Sequence, residues 1–203
     1  DIAAARLAGM GRRAVIAPTV TISNSLHHRN YPGTLSLDPR LYMDCLTSMA
    51  RGIVSHGFRN ICCVNGHGGN GTPTDMAVMD IATRYGIHIS WVPYYVGCNE
   101  DFEAILDTQS TIFHADEVET SLMLALDESL VDPCYMEAKG GNIQKGTPHG
   151  RPGRPYTFLP FETRTETGIL GNSYAATREK GKQLWEAVTG HLVQALLDPE
   201  LWQ

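Results

Sequence analysis

The sequence is short of several things, and each shortage excludes a class of protein. It has no basic surplus. Sixteen Lys and Arg stand against 22 Asp and Glu, a net charge of −6, and no basic run or face stands out, which argues against a nucleic-acid partner. It has no apolar run approaching the roughly 20 residues that span a bilayer, so no membrane segment is expected. It has no CxxC pair. Its five cysteines, Cys45, Cys62, Cys63, Cys98 and Cys134, are odd in number and follow no metal-ligand spacing. That usage suits free thiols in a reducing cytoplasm rather than a disulfide framework. No GxxxxGK[ST] phosphate loop is present. The chain opens on Asp1-Ile2-Ala3-Ala4-Ala5-Arg6, without Met and without the basic and apolar regions of a signal peptide. It reads as starting partway into a helix, so an upstream N-terminus is expected.

What is there is an alternation of short apolar runs and helical periods. Hydrophobic residues make up 42% of the 203 positions, enough for one domain with a sizeable core, and we expect a single domain over 1–203. Residues 14–18, 60–65 and 87–93 read as strands. The first and third are closed by Pro, and the second runs into a Gly-rich loop. Continuous apolar runs of this length suit parallel strands covered on both faces. A helix is predicted over 39–55, with Asp38 as its cap and Pro39 at its first position. Its apolar stripe is Leu41, Cys45, Leu46, Met49 and Ile53, and His56-Gly57 ends it. Further helices are predicted over 74–85, with Met76, Val78, Met79 and Ala82 among its apolar positions and Gly86 as the stop, and over 117–126. A long one follows over 175–197, with Leu184, Val188, Leu192, Ala195 and Leu196 on one face. Strand, loop, helix, strand is the pattern of an α/β sandwich with a mainly parallel sheet. In such sheets, sites lie beyond the carboxyl ends of the strands, which is where 65–70 falls. Residues 139–160, rich in Gly, Pro and basic side chains, read as a long cover over a site or as a subunit contact.

Three segments carry chemistry. Asn65-Gly66-His67-Gly68-Gly69-Asn70 follows a strand, and its glycines permit a tight backbone with room for a ligand beside His67. A neutral imidazole there suits zinc, iron or manganese; the alternative is a turn with a hydrogen-bonded His. Asn65 and Asn70 either tie the loop or orient a carbonyl. His114-Ala115-Asp116-Glu117-Val118-Glu119-Thr120-Ser121 sets one His and three acids at a helix start. The helix dipole accounts for Asp116 and Glu117. Glu119 shares a face with Leu122, Met123 and Leu126, so it calls for a metal or an ion-pair partner. His27-His28 precedes Arg29-Asn30-Tyr31-Pro32-Gly33-Thr34-Leu35-Ser36-Leu37. Adjacent histidines in an extended segment cannot both face one pocket, so one at most is expected to touch substrate. Tyr94, Tyr95 and Phe113 belong either to a pocket wall or to the core.

Taken in order, the segments 28–37, 57–60 leading into 65–70, and 114–121, followed by Gly168-Ile169-Leu170-Gly171 and Ala175-Ala176-Thr177-Arg178-Glu179-Lys180-Gly181, resemble the creatininase (creatinine amidohydrolase) family over nearly the whole chain. The resemblance implies a three-layer α/β/α sandwich, two divalent metal ions (Zn, Mn or Fe), hydrolysis of a small and often cyclic amide, and a homo-oligomer, commonly a hexamer. It implies His67 as a metal ligand, Glu119 as a carboxylate at the metal, and His114 as the residue that shuttles a proton. By the same likeness His28, Asn65, Gly68 and Asn70 lie against substrate, and Asp1 is either the family's bridging metal ligand or lies a residue or two beyond it. The sequence departs from the family in three places. It contains no Glu-x-His-Gly, so the family's first strand is missing from it. Gly69 stands where true creatininases have Glu, which argues against creatinine itself, and Asp116 stands where Gly is usual. The alternatives are a non-catalytic relative that binds a small molecule or serves an assembly, and a metal-dependent lyase or isomerase on the same scaffold.

Overall fold

A computed structural model describes residues 1–136 and 158–202; the stretch 139–157 of the expected cover lies outside them. The chain divides into two compact units, Asp1–Val96 with Leu192–Gln203, and Gly97–His191.

The first unit is built on a parallel pair of strands. β1 (Asn60–Asn65) and β2 (His88–Pro93) pair in register from Asn60 opposite His88 to Asn65 opposite Pro93. Parallel neighbours need a crossover, and α3 (Gly71–Tyr85) supplies it, stopping at Gly86 in the left-handed region. α1 (Ile2–Gly9) comes first, and α2 (Pro39–Ser55) precedes β1. The Asp38 side chain accepts the Arg40 N–H at 2.9 Å, with Pro39 opening α2, so the start of that helix was legible from its cap. Ala50, Ala77, Ile81 and Ile87 form the core of this unit, with Met43, Leu46, Val54, Ile61, Tyr85 and Ile89 packed against it.

β1, β2, α2 and α3 form close to where the sequence placed them, but the buried stripes of these two helices differ from expectation. On α2 the core side is Tyr42, Leu46, Ala50 and Val54, while Leu41 is 55% exposed. On α3 it is Thr74, Ala77 and Ile81, with Met76 and Met79 outside. Small residues take the contact because α2 and α3 pack directly on each other there, and the larger apolar side chains are left on the outer faces. The strand expected at 14–18 is not formed. Residues 12–20 are irregular and Val15 and Ile16 are exposed, because a strand needs a hydrogen-bonding neighbour and none is present there among the described residues. β1 and β2 are also less covered than expected, with Val64 48% exposed.

The second unit contains α4 (Asn99–Ile105), α5 (Glu117–Leu126) and α6 (Pro133–Met136). It also holds the first part of α7 (Arg178–Leu197), whose remainder belongs to the first unit. Phe102, Ile112, Val118, Leu122, Phe161, Leu170 and Leu184 are buried in it. α7 lies against α5 at Gly181, where an added Cβ would run into the Ser121 carbonyl. Trp185 Nε1 donates to the Leu122 carbonyl at 3.0 Å along the same seam. The buried face of α5 is Glu117, Val118, Ser121 and Leu122; Met123 and Leu126, expected inside, are 37% and 63% exposed. Glu117 is fully buried, which the helix dipole alone does not explain. Its carboxylate accepts the Asp107 and Thr108 N–H groups, the Thr108 hydroxyl and, at 2.6 Å, the Lys180 ammonium. Among the described residues no helix is long and apolar enough to cross a membrane.

Candidate metal centre

The loop after β1 is tied by its own amides. Asn65 Oδ1 accepts the His67 N–H at 3.1 Å and the Asn70 side-chain amide at 3.2 Å. Asn70 Oδ1 in turn accepts the Asn24 N–H at 3.1 Å, and the Asn24 side chain donates to the Gly69 carbonyl at 2.7 Å. Of the two roles open to Asn65 and Asn70, these contacts are the loop-tying one. They also fasten 65–70 to the segment carrying His27 and His28.

That segment is a turn of 3-10 helix, Leu26–His28, not extended chain. The difference overturns the expectation that only one of the two histidines could face a site. Side chains on a strand alternate by half a turn, whereas neighbours on a 3-10 helix are a third of a turn apart. Both rings can therefore turn inward. The His27 and His28 centroids are 4.0 Å apart, and His27 stacks on His67 at 5.3 Å with 7° between planes. One ligand atom from each of His27, His28 and His67 lies within 4.8 Å of the other two. His28 is buried and its Nδ1 is 2.9 Å from Ser25 Oγ, which fixes the ring. His27 is the residue the sequence reading set aside, and its signal was the turn chemistry of Asn24 and Ser25 before it.

These residues fit a divalent metal. His67 Nε2 is buried and makes no hydrogen bond. Burial pushes the imidazole below its usual pKa, against a smaller opposite pull from the Asn24 backbone, a shift towards the neutral form that ligates metals. The space beside Nε2 exists because residue 69 is Gly. A Cβ there would lie 2.6 Å from His67 Nε2, 2.5 Å from His27 Cε1 and 2.7 Å from the Asn24 carbonyl oxygen. Asp1 is exposed at the start of α1 and is not part of this cluster.

The remaining candidates lie in the second unit. His114 is held by a two-way backbone bridge to Leu170 at 3.1 and 2.9 Å, with its ring edge-on to Phe161. Ala115 follows in the left-handed region at φ 48°, the one such non-glycine among the described residues, a strained turn of the kind that clusters at functional sites. It aims its N–H at Glu119 Oε2, 2.5 Å away. Burial, then the neighbouring Asp116, raise the Glu119 carboxyl to about 7, against the Ala115 N–H. Asp116 is fully buried and accepts from Gln109 Nε2, the Phe113 N–H and the Glu119 N–H. Burial raises its pKa, and those donors oppose the rise.

Residues 1–196 match the Creatininase (creatinine amidohydrolase) family. This chain belongs to the creatininase family. It is 32% identical over 194 residues to the 3-dehydro-scyllo-inosose hydrolase of Thermotoga maritima, covering 85% of this chain and 60% of that protein. It is 32% identical over 186 residues to the mycofactocin precursor peptide peptidase of Mycolicibacterium smegmatis, covering 88% and 65%. The chain thus spans about 60–65% of the length of the curated relatives it matches. Among solved structures, a candidate creatinine amidohydrolase from Bacteroides fragilis superposes with TM-score 0.76 at 22% identity, over 95% of this chain and 75% of that one. A Zn–Zn form of a mutant creatininase gives 0.71 at 22% identity, over 96% and 77%. At these identities the structures establish the α/β fold of the creatininase family, as the sequence led us to expect.

Proposed function

We propose that this creatininase-family chain takes part in metal-dependent hydrolysis of the C–N bond of a small amide. The observation that carries the reading is His67, its Nε2 buried and bare of hydrogen bonds beside a gap that only Gly69 leaves open. Its setting in the loop at the carboxyl end of β1 supports this, since that is where parallel sheets hold their ligands. The names of both curated relatives describe hydrolysis, and one names a peptide, so the substrate class extends to peptide amides as well as cyclic ones.

In this reading His67 holds a divalent ion, zinc being one that an imidazole donor suits, and the family resemblance adds a second ion and Glu119 as a further ligand. A bound ion of this kind lowers the pKa of water towards neutrality and polarises a carbonyl. The chain's own residues do the rest. Asn65 and Asn70 hold the loop so that His67 keeps its place. His114, anchored through Leu170, gives a proton to the departing nitrogen as general acid. A homo-oligomer and a small-molecule substrate remain part of the proposal, the first readable by light scattering.

The test is turnover on a panel of cyclic amides and short peptides, with and without chelator, for the wild type, His67→Ala and His114→Asn. Chelation and His67→Ala should abolish hydrolysis. His114→Asn should lower turnover about 10²–10⁴-fold with metal content unchanged. Hydrolysis that survives chelation would refute the metal role, and turnover that survives His114→Asn would refute the general acid.

A further inference from the structure

We propose that His27 and His28 join His67 in a three-imidazole metal site, and that this donor set selects zinc or cobalt over manganese and magnesium. The inference rests on the reading of His67 as a metal ligand and adds two ligands and a selectivity to it.

Three observations carry it. The first is proximity. Ligand atoms on a tetrahedral ion with bonds of about 2.0–2.1 Å stand about 3.3–3.4 Å apart. Those of His27, His28 and His67 lie within 4.8 Å of one another, so closure on one ion takes a contraction of up to about 1.5 Å. The second is preorganisation. His28 Nδ1 meets Ser25 Oγ at 2.9 Å, and the Ser25 N–H donates to Ser36 Oγ at 2.8 Å, which donates on to the Leu37 carbonyl. Metal-binding histidines carry such an outer contact on the nitrogen that does not ligate. Asn24 does the same work for the backbone, bracing the His27 segment against Gly69 and Asn70. The third is clearance. The volume between His27 Cε1, His67 Nε2 and the Asn24 carbonyl is the volume a side chain at 69 would occupy. A side chain at 69 and the close approach of His27 to His67 exclude each other, so Gly at this position is what lets the two imidazoles meet.

An all-imidazole donor set fixes the chemistry. Neutral nitrogen donors favour the later first-row ions, and carboxylates favour manganese and magnesium. Three imidazoles leave a fourth tetrahedral position open, the arrangement of catalytic rather than structural zinc sites.

The experiment is titration of chelator-treated protein with Co²⁺, followed by its visible ligand-field spectrum, with Zn²⁺, Mn²⁺ and Mg²⁺ as competitors. The proteins are wild type, His67→Ala, His27→Ala, His27→Gln and Gly69→Ala, each checked for folding by circular dichroism. We expect an intense tetrahedral-type Co²⁺ spectrum in the wild type, displaced by Zn²⁺ at least about tenfold more readily than by Mn²⁺. Either His27 variant and Gly69→Ala should weaken Co²⁺ binding by about tenfold or more and reduce the band intensity; His27→Gln keeps a polar side chain there should the alanine variant fail to fold. If His67→Ala abolishes binding while both His27 variants bind with unchanged affinity and spectrum, the three-imidazole site is overturned and the metal role of His67 stands. Competition by Mn²⁺ equal to that by Zn²⁺ would also overturn it. If the wild type binds no Co²⁺, the three-imidazole site and the metal reading beneath it both fall.

Discussion

Lys180→Met should be among the most damaging single substitutions in the second unit, although Lys180 touches none of the proposed chemistry. Its ammonium lies 2.6 Å from the fully buried Glu117 carboxylate, 2.7 Å from Asp107 and 2.6 Å from the Ala175 carbonyl. Removing it leaves Glu117 a buried anion, still served by two backbone N–H groups and one hydroxyl. Breaking one side of a buried pair costs about 3–5 kcal/mol. The three surviving donors put this case at the lower end, about 3–4 kcal/mol. The Asp107 arm adds little, because its side chain is 74% exposed. For a chain of this size each kcal/mol moves Tm by about 2–4 °C, so the melting point should fall by about 6–16 °C. Urea unfolding followed by tryptophan fluorescence measures the difference directly. Glu117→Gln placed on top of Lys180→Met should recover part of it by removing the stranded charge. The sign with pH follows from Lys180. Burial lowers its pKa, but Asp107 and Glu117 outweigh that and hold it above the usual 10.5. Its stabilisation is thus complete below 10.5 and is lost as pH rises through the higher folded value. The gap between wild type and variant should narrow there. A Lys180→Met protein within about 1 kcal/mol of wild type at neutral pH would refute the reasoning.

Gly181→Ala should destabilise by more than the roughly 1 kcal/mol that propensity alone would return to a helix, because the methyl meets the Ser121 carbonyl; a variant that melts at or above the wild type would contradict that packing. Burial pushes the thiols of Cys62 and Cys98 up to about 11, so at pH 8 only about one in a thousand is thiolate. Iodoacetamide followed by peptide mass spectrometry should find the exposed Cys134 modified first, and equal labelling of Cys62 would refute the burial argument. Zinc at a hundred times its Kd should stabilise the folded protein by about 2.7 kcal/mol; the gain should vanish on chelation and in His67→Ala, and an equal gain in that variant would place the ion elsewhere.

Sequence alone placed α2, β1, α3, β2, α5 and α7 in order, though it missed α4 and α6 and its strand at 14–18 did not form. α2, β1 and α5 begin and end where their residues say they should, because the signals are local: Asp38 capping Pro39, an apolar run meeting Gly66, acids opening a helix at Glu117. It also marked His67, a histidine among glycines after a strand, as a metal ligand in one of two readings, and the family followed from motifs spread along the chain. Tertiary structure decided what local signals do not encode. Which helix face is buried depended on how closely neighbours approach, so Ala50 and Ala77 displaced the larger Leu41 and Met76 from the core. Glu117 owes its burial to Lys180, 63 residues away. His27 joined its neighbour at one site because a single turn of 3-10 helix replaced extended backbone, and because Gly69, from a loop 42 residues further on, left the space for both rings to meet His67.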